Sequence, residues 1–89
     1  MEATLGNRFG VIYILKYQYR SFEKLRIEWE FPEEVKGKKV ISYGSSHYTF
    51  KKTHSSYTFD TEDELVKGTW QLRLYHKNKL LLIKDFIVI

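Results

Sequence analysis

The sequence predicts an antiparallel β-sandwich of about seven short strands. Three observations carry that prediction. Apolar and aromatic residues alternate with polar ones along most of the chain, turn-forming residues recur about every eight to twelve positions, and no helical period outlasts one turn. A small β-barrel is the alternative architecture.

From Phe9 the odd positions Phe9, Val11, Tyr13, Leu15, Tyr17 and Tyr19 are apolar or aromatic, while the even positions end in Lys16, Gln18 and Arg20. That is the pattern of a half-buried strand. Ile12 and Ile14 interrupt the alternation, which predicts cover on both faces of its first half. "KLRIEWEF" sets Leu25, Ile27, Trp29 and Phe31 on one face and Lys24, Arg26, Glu28 and Glu30 on the other. Pro32 is expected to end this strand, because proline cannot donate to a ladder. "PEEVKGKK" then reads as a loop, "VISY" as a short strand and "GSS" as a break. "HYTFKK" and "SSYTFD" alternate again, with Tyr48 and Phe50, then Tyr57 and Phe59, facing inward. "DTEDE" is a turn, and "TEDEL" alone is able to form a turn of helix.

Beyond Thr69, Trp70, Leu72, Leu74 and His76 share one face, and Gln71, Arg73 and Lys77 the other. The final hairpin has two registers. A three-residue loop sets Phe86 opposite Trp70 and turns Lys84 inward, whereas a two-residue loop at Lys77-Asn78 turns Asp85 inward. A β-bulge at Lys84-Asp85 would resolve the conflict and is expected there.

The 89 residues, 43% hydrophobic and 17% aromatic, suit a single domain over 1–89 with a loose segment at 1–8. A chain this short buries roughly 60 to 65 per cent of its unfolded surface. There is no cysteine, which excludes disulfides, thiol nucleophiles and Cys-based zinc sites and fits a reducing, cytoplasmic setting. The opening residues lack the basic and apolar regions of a secretory signal. The apolar runs "LLLI" and "FIVI" are too short to span a bilayer. A net charge of +4 and a pI near 9.3 are a mild bias that permits, without implying, attraction to nucleic acid or anionic surfaces.

No motif for catalysis stands out. His47, His54 and His76 match no metal-ligand spacing, and solvated or edge histidines account for them. Asp60, Glu62, Asp63 and Glu64 lack the glycine and spacing of a calcium loop and read as a solvated turn. Ser next to His in "GSSH" and "THSS" points the two to opposite faces of a strand, so neither pair is evidence for a triad. No enzyme activity, cofactor or metal is expected. In "SHYTFKKTHSSYTF", Tyr48, Lys51, Lys52 and His54 combine stacking groups with cations and are candidates for anion or nucleic-acid contact. The same alternation belongs to any half-buried hairpin.

The stretches "FGVIY", "FPEEVKG", "YTFDTEDELVKGTWQLRLYHKNKLL" and "KDFIVI" resemble a bacterial domain family of unknown function. Its marks are an early aromatic-Gly-aliphatic strand, a hydrophobic-Pro step, and Glu-Leu-x-x-Gly-x-Trp followed by Phe-x-Val; the resemblance runs from Phe9 to Ile89. It implies an immunoglobulin-like β-sandwich and brings no catalytic residue with it. Leu65, Gly68 and Trp70 read as the corner where the chain crosses between sheets, glycine supplying the unusual torsion and tryptophan the core plug. In such a fold the first and last strands often run side by side, which would merge Ile12, Ile14, Ile87 and Ile89 into one exposed stripe. The expectation is therefore a non-catalytic module that binds a protein partner, or itself as a homodimer, through apolar edge strands. Weak nucleic-acid or anionic-ligand binding is the alternative.

Overall fold

The computed structural model describes residues 1–14, 22–48 and 51–89, the side chains of 22–23 and 46–48 excepted. Its strands are β1 (Arg8–Ile14), β2 (Phe22–Val35), β3 (Lys38–Tyr48), β4 (Lys52–Thr58), β5 (Gly68–His76) and β6 (Lys79–Val88), with one 3-10 turn at Glu62–Glu64. β1 and β4 form a two-stranded sheet, and the other four form a second sheet in the order β3-β2-β5-β6, every pairing antiparallel. The two sheets stay open and separate, so the architecture is a sandwich and not a barrel. Six strands lie among the described residues, against about seven expected. No helix among them is long and apolar enough to cross a membrane.

Period-two alternation explains the core. Leu25, Ile27, Trp29 and Phe31 of β2 and Trp70, Leu72 and Leu74 of β5 are all buried, on the face turned towards β1 and β4. Phe9 crosses from the small sheet to meet Trp29 and Trp70 edge-on, with ring centroids at 5.6 and 5.5 Å. Phe31 and Tyr57 close on Trp70 at 4.7 and 5.0 Å. Such edge-to-face pairs contribute about 0.5–1.5 kcal/mol each beyond the area they bury.

Four local expectations are corrected. Pro32 does not end β2. The ladders on both sides of β2 run to Glu30, and the one to β3 resumes at Val35↔Lys38, so proline occupies the interval where no N–H is required. "PEEVKGKK" is not a loop but the end of a long hairpin. Its turn is Lys36-Gly37 alone, with φ of 52° and 79°, the left-handed pair of a type I′ turn. "GSS" is not a break either, since β3 runs through it with Gly44 opposite Arg26. Ile12 and Ile14 are 74% and 44% exposed, not covered on both faces.

The last hairpin combines both registers. Lys77-Asn78 makes a two-residue turn with φ of 48° and 67°, and the register then shifts, so that Leu74 pairs with Leu82 while Tyr75 pairs with Leu80. The bulge residue is Leu81, not Lys84-Asp85. Phe86 comes opposite Trp70 and Lys84 opposite Leu72. Because β6 is an edge strand, Lys84 carries its ammonium past the rim on an apolar stem and remains exposed. The shorter Asp85 faces outward and accepts a hydrogen bond from Gln71 Nε2 at 2.9 Å.

The first residues run along the end of β6. The Met1 amino group donates to the Ile87 carbonyl at 3.1 Å, the Ile89 N–H donates to Met1 and the Ala3 N–H to Ile89.

Gly10 holds β1 against β4. A Cβ placed there would lie 2.1 Å from the Ser55 carbonyl oxygen and 2.6 Å from Ser56 Cα, so only a hydrogen fits between the two backbones. Gly10→Ala is expected to force the strands apart and lower stability by about 1–3 kcal/mol, the range for overpacking. Urea denaturation followed by tryptophan fluorescence measures it. An unchanged midpoint would contradict the close approach.

Candidate functional site

The β1–β4 register decides which surface groups meet. Ile12 faces His54, Ile14 faces Lys52, Gly10 faces Ser56 and Arg8 faces Thr58. Residues directly opposite share a face, so the aliphatic candidates Ile12 and Ile14 and the cationic candidates Lys52 and His54 form one surface. Arg8 Nε donates to Thr58 Oγ1 at 3.2 Å, which lays the guanidinium along the ribbon. A groove of about 250 Å³ opens above Gly10, with Arg8 at one end and Ile12 and His54 at the other. The outward positions of this ribbon carry Arg8 and Lys52 and no carboxylate. Lys51 lies in the turn before β4, where its carbonyl accepts from Thr53 Oγ1. Tyr48 ends β3, and its side chain lies outside the described residues, as does that of His47.

Ile87 and Ile89 are 58% and 63% exposed but sit elsewhere. β1 and β6 belong to different sheets, so Ile87 leaves the large sheet on its outer face while Ile12 leaves the small sheet on the other side of the sandwich. One stripe joining the four isoleucines does not form. Ile87 instead continues an outward row of Leu80 and Ile83 along β6.

Between the sheets runs the segment from Phe59 to Gly68. Leu65 is half-buried at the end of the 3-10 turn, Trp70 is fully buried, and Trp70 Nε1 donates to the Val66 carbonyl at 2.8 Å. Gly68 has a φ of 131°, and a Cβ there would lie 2.8 Å from Pro32 Cβ. The sequence reading missed Glu64, which is not a member of a solvated acidic turn. It is 5% exposed and turned inward. Its Oε1 accepts from the N–H groups of Asp60 and Thr61 at 2.9 Å and from Thr61 Oγ1 at 3.0 Å, and its Oε2 accepts from the Tyr57 hydroxyl. Burial pushes the Glu64 carboxyl up, yet these donors outweigh it and hold the group below the usual carboxylate range. Burial, reinforced by the hydrogen bond to Glu64, pushes the Tyr57 phenol up.

The outer face of the large sheet carries a second polar array. Arg73 bridges Glu30 at 2.9 Å and Glu28 at 3.2 Å, and Arg26 Nε meets Glu28 at 3.3 Å. The Arg26 guanidinium lies 4.4 Å from the centre of the Tyr75 ring. Cross-strand register builds this array: Arg26 pairs with Tyr75 and Glu28 with Arg73. His54 and His76 lie on different sheets, and among the described residues no three His, Asp or Glu side chains converge as a metal site.

No family model and no curated protein matches the chain. Among solved structures it is similar to an immunoglobulin-like protein from Pseudomonas aeruginosa, with 25% identity and a TM-score of 0.85 over 99% of this chain and 75% of that one. The fold is an immunoglobulin-like antiparallel β-sandwich. The resemblance drawn from Glu64-Leu65, Gly68, Trp70, Phe86 and Val88 therefore retains its content as to fold. A bacterial origin is in keeping with the Pseudomonas neighbour.

Proposed function

We propose that this domain is a non-catalytic interaction module that takes an acidic protein partner on the outer face of the β1–β4 ribbon. The observation that supports this reading is Ile12, 74% exposed mid-strand with Ile14 in the same row. Arg8 and Lys52 flank them without a compensating carboxylate on that face. Fully burying one such aliphatic side chain is worth about 1.5–3 kcal/mol, and the surrounding cations select the sign of the partner. Edge pairing through β6 is the weaker route. The bulge at Leu81 and the inward Lys84 are devices by which edge strands discourage a neighbour.

The test is a pull-down from bacterial lysate after nuclease treatment, comparing the wild type with Ile12→Glu and, on the opposite outer face, Ile83→Glu. Retention of a discrete protein by the wild type and Ile83→Glu, and its loss from Ile12→Glu at unchanged Tm, is the expected result. Equal capture by all three would place binding elsewhere. Sedimentation equilibrium covers the case in which the partner is a second copy: self-association abolished by Ile14→Lys would make the domain a homodimer through this face.

A further inference from the structure

The five glycines of the chain have unequal reasons to be there. Gly6, Gly37 and Gly68 adopt positive φ, and Gly10 sits against the backbone of β4. Gly44 has neither reason. It lies within β3 without a positive φ, and a Cβ added there would meet nothing closer than Lys24 Cε at 3.3 Å. Glycine inside a strand costs roughly 0.5–1 kcal/mol relative to alanine, and strand glycines often mark a bulge, a bend or a place where a ligand or another backbone approaches closely.

A groove of about 500 Å³ opens over Gly44 on the outer face of the large sheet, within the range of small-molecule sites. Lys24, Arg26 and Lys77 supply three cations to its walls, and Ser42, Tyr43, Tyr75 and Asn78 also line it. Arg26 is fixed twice, by Glu28 at 3.3 Å and by the Tyr75 ring at 4.4 Å. Glu28 also binds Arg73, so its charge is shared between two guanidinium groups. The result is a flat cationic platform, backed by an aromatic ring and half-exposed, beside a floor stripped of side chain. Planar bases stack on guanidinium groups as they do on aromatics, and lysines answer phosphate.

We infer that the groove over Gly44 is a nucleotide-binding site, with the base stacked on Arg26 and the phosphate held by Lys24 and Lys77. The nucleotide unit has two sources, a free nucleotide or a single strand. Neither involves the β1–β4 ribbon, so the site stands or falls apart from the protein-binding reading.

Fluorescence anisotropy of labelled oligothymidylate, with AMP, inorganic pyrophosphate and poly-glutamate as competitors, tests the proposal on the full chain. Saturable binding is expected, competed by AMP more strongly than by pyrophosphate. For a strand whose phosphates engage Lys24 and Lys77, binding is expected to weaken roughly 7-fold from about 50 to 200 mM salt. AMP that competes at its own saturating concentration identifies a free-nucleotide site, whereas AMP that competes weakly against a longer strand identifies a strand site. Gly44→Val should fill the floor and weaken binding at least tenfold while leaving Tm unchanged or higher, because the only close neighbour is the flexible end of Lys24. Arg26→Gln removes the platform and should do the same, which keeps the test decisive if the valine variant misfolds. Ile12→Glu should bind as the wild type does. The proposal is overturned by absence of saturable binding, by binding indifferent to both groove variants, or by poly-glutamate competing as well as AMP, which would make the groove a site for acidic peptides.

Discussion

Trp70→Ala is expected to cost about 3–5 kcal/mol, the range for removing a fully buried large aromatic. That is a large share of the stability available to a small domain, of the order of 5–15 kcal/mol. Trp70 is completely buried, and its ring meets Phe9, Phe31, Tyr57 and Phe59 between 4.7 and 5.5 Å. It also ties the inter-sheet segment to the core through the Val66 carbonyl at 2.8 Å. Trp29 is equally buried, yet among the described residues its Nε1 has no hydrogen-bond partner. The two tryptophans are therefore separable by a milder change. Phenylalanine at 70 orphans a buried carbonyl, whereas phenylalanine at 29 removes an unsatisfied donor along with its bulk. Trp70→Phe is expected to be about 1–2 kcal/mol worse than Trp29→Phe. Urea unfolding followed by the fluorescence of the remaining tryptophan measures both. A greater loss from Trp29→Phe would mean that ring volume, not the hydrogen bond, governs this core.

The alternation of β2 and β5 made their buried faces legible, because period two is a local property that burial imposes directly on the sequence. Pro32, "GSS" and "PEEVKGKK" misled for the opposite reason. Whether a proline or glycine breaks a strand depends on whether a partner strand needs that N–H, and the partner is distant in sequence. The bulge at Leu81 is of the same kind, since the choice between Lys84 and Asp85 rests on β6 being an edge. The ribbon surface was half legible. Ile12 and His54 were each visible as candidates, but their meeting depends on a register that joins residues 42 positions apart. The groove over Gly44 leaves one readable trace, a glycine where a strand continues, and local turn propensity alone reads that glycine as a break. Glu64 carried a clearer signal that went unused: Thr61-x-x-Glu64 has the spacing of a capping box, in which the glutamate reaches back to the N-cap N–H.

Glu64→Ala should be the second most damaging change, at about 3 kcal/mol, because it leaves two backbone N–H groups and the Tyr57 hydroxyl without their acceptor at the crossing between sheets. Glu64→Gln keeps the shape and loses the charge, and it separates packing from electrostatics through pH. The Glu64 carboxyl titrates lower in the folded chain than its unfolded value of about 4.3. The unfolded chain therefore binds its proton first, and the stability this group contributes is whole above about pH 4.3 and lost as pH falls through the folded value. The Tyr57 phenol is shifted upward, so its contribution is whole below about pH 10 and lost as pH rises beyond. One hydrogen bond thus shapes both limbs of the stability profile. Urea midpoints measured from acid to alkaline pH should fall less steeply below about pH 4 in Glu64→Gln than in the wild type. Tyr57→Phe should flatten the alkaline limb. An acid limb of the same slope in Glu64→Gln would show that other carboxylates carry it, and would reduce Glu64 to a capping residue whose charge the fold does not need.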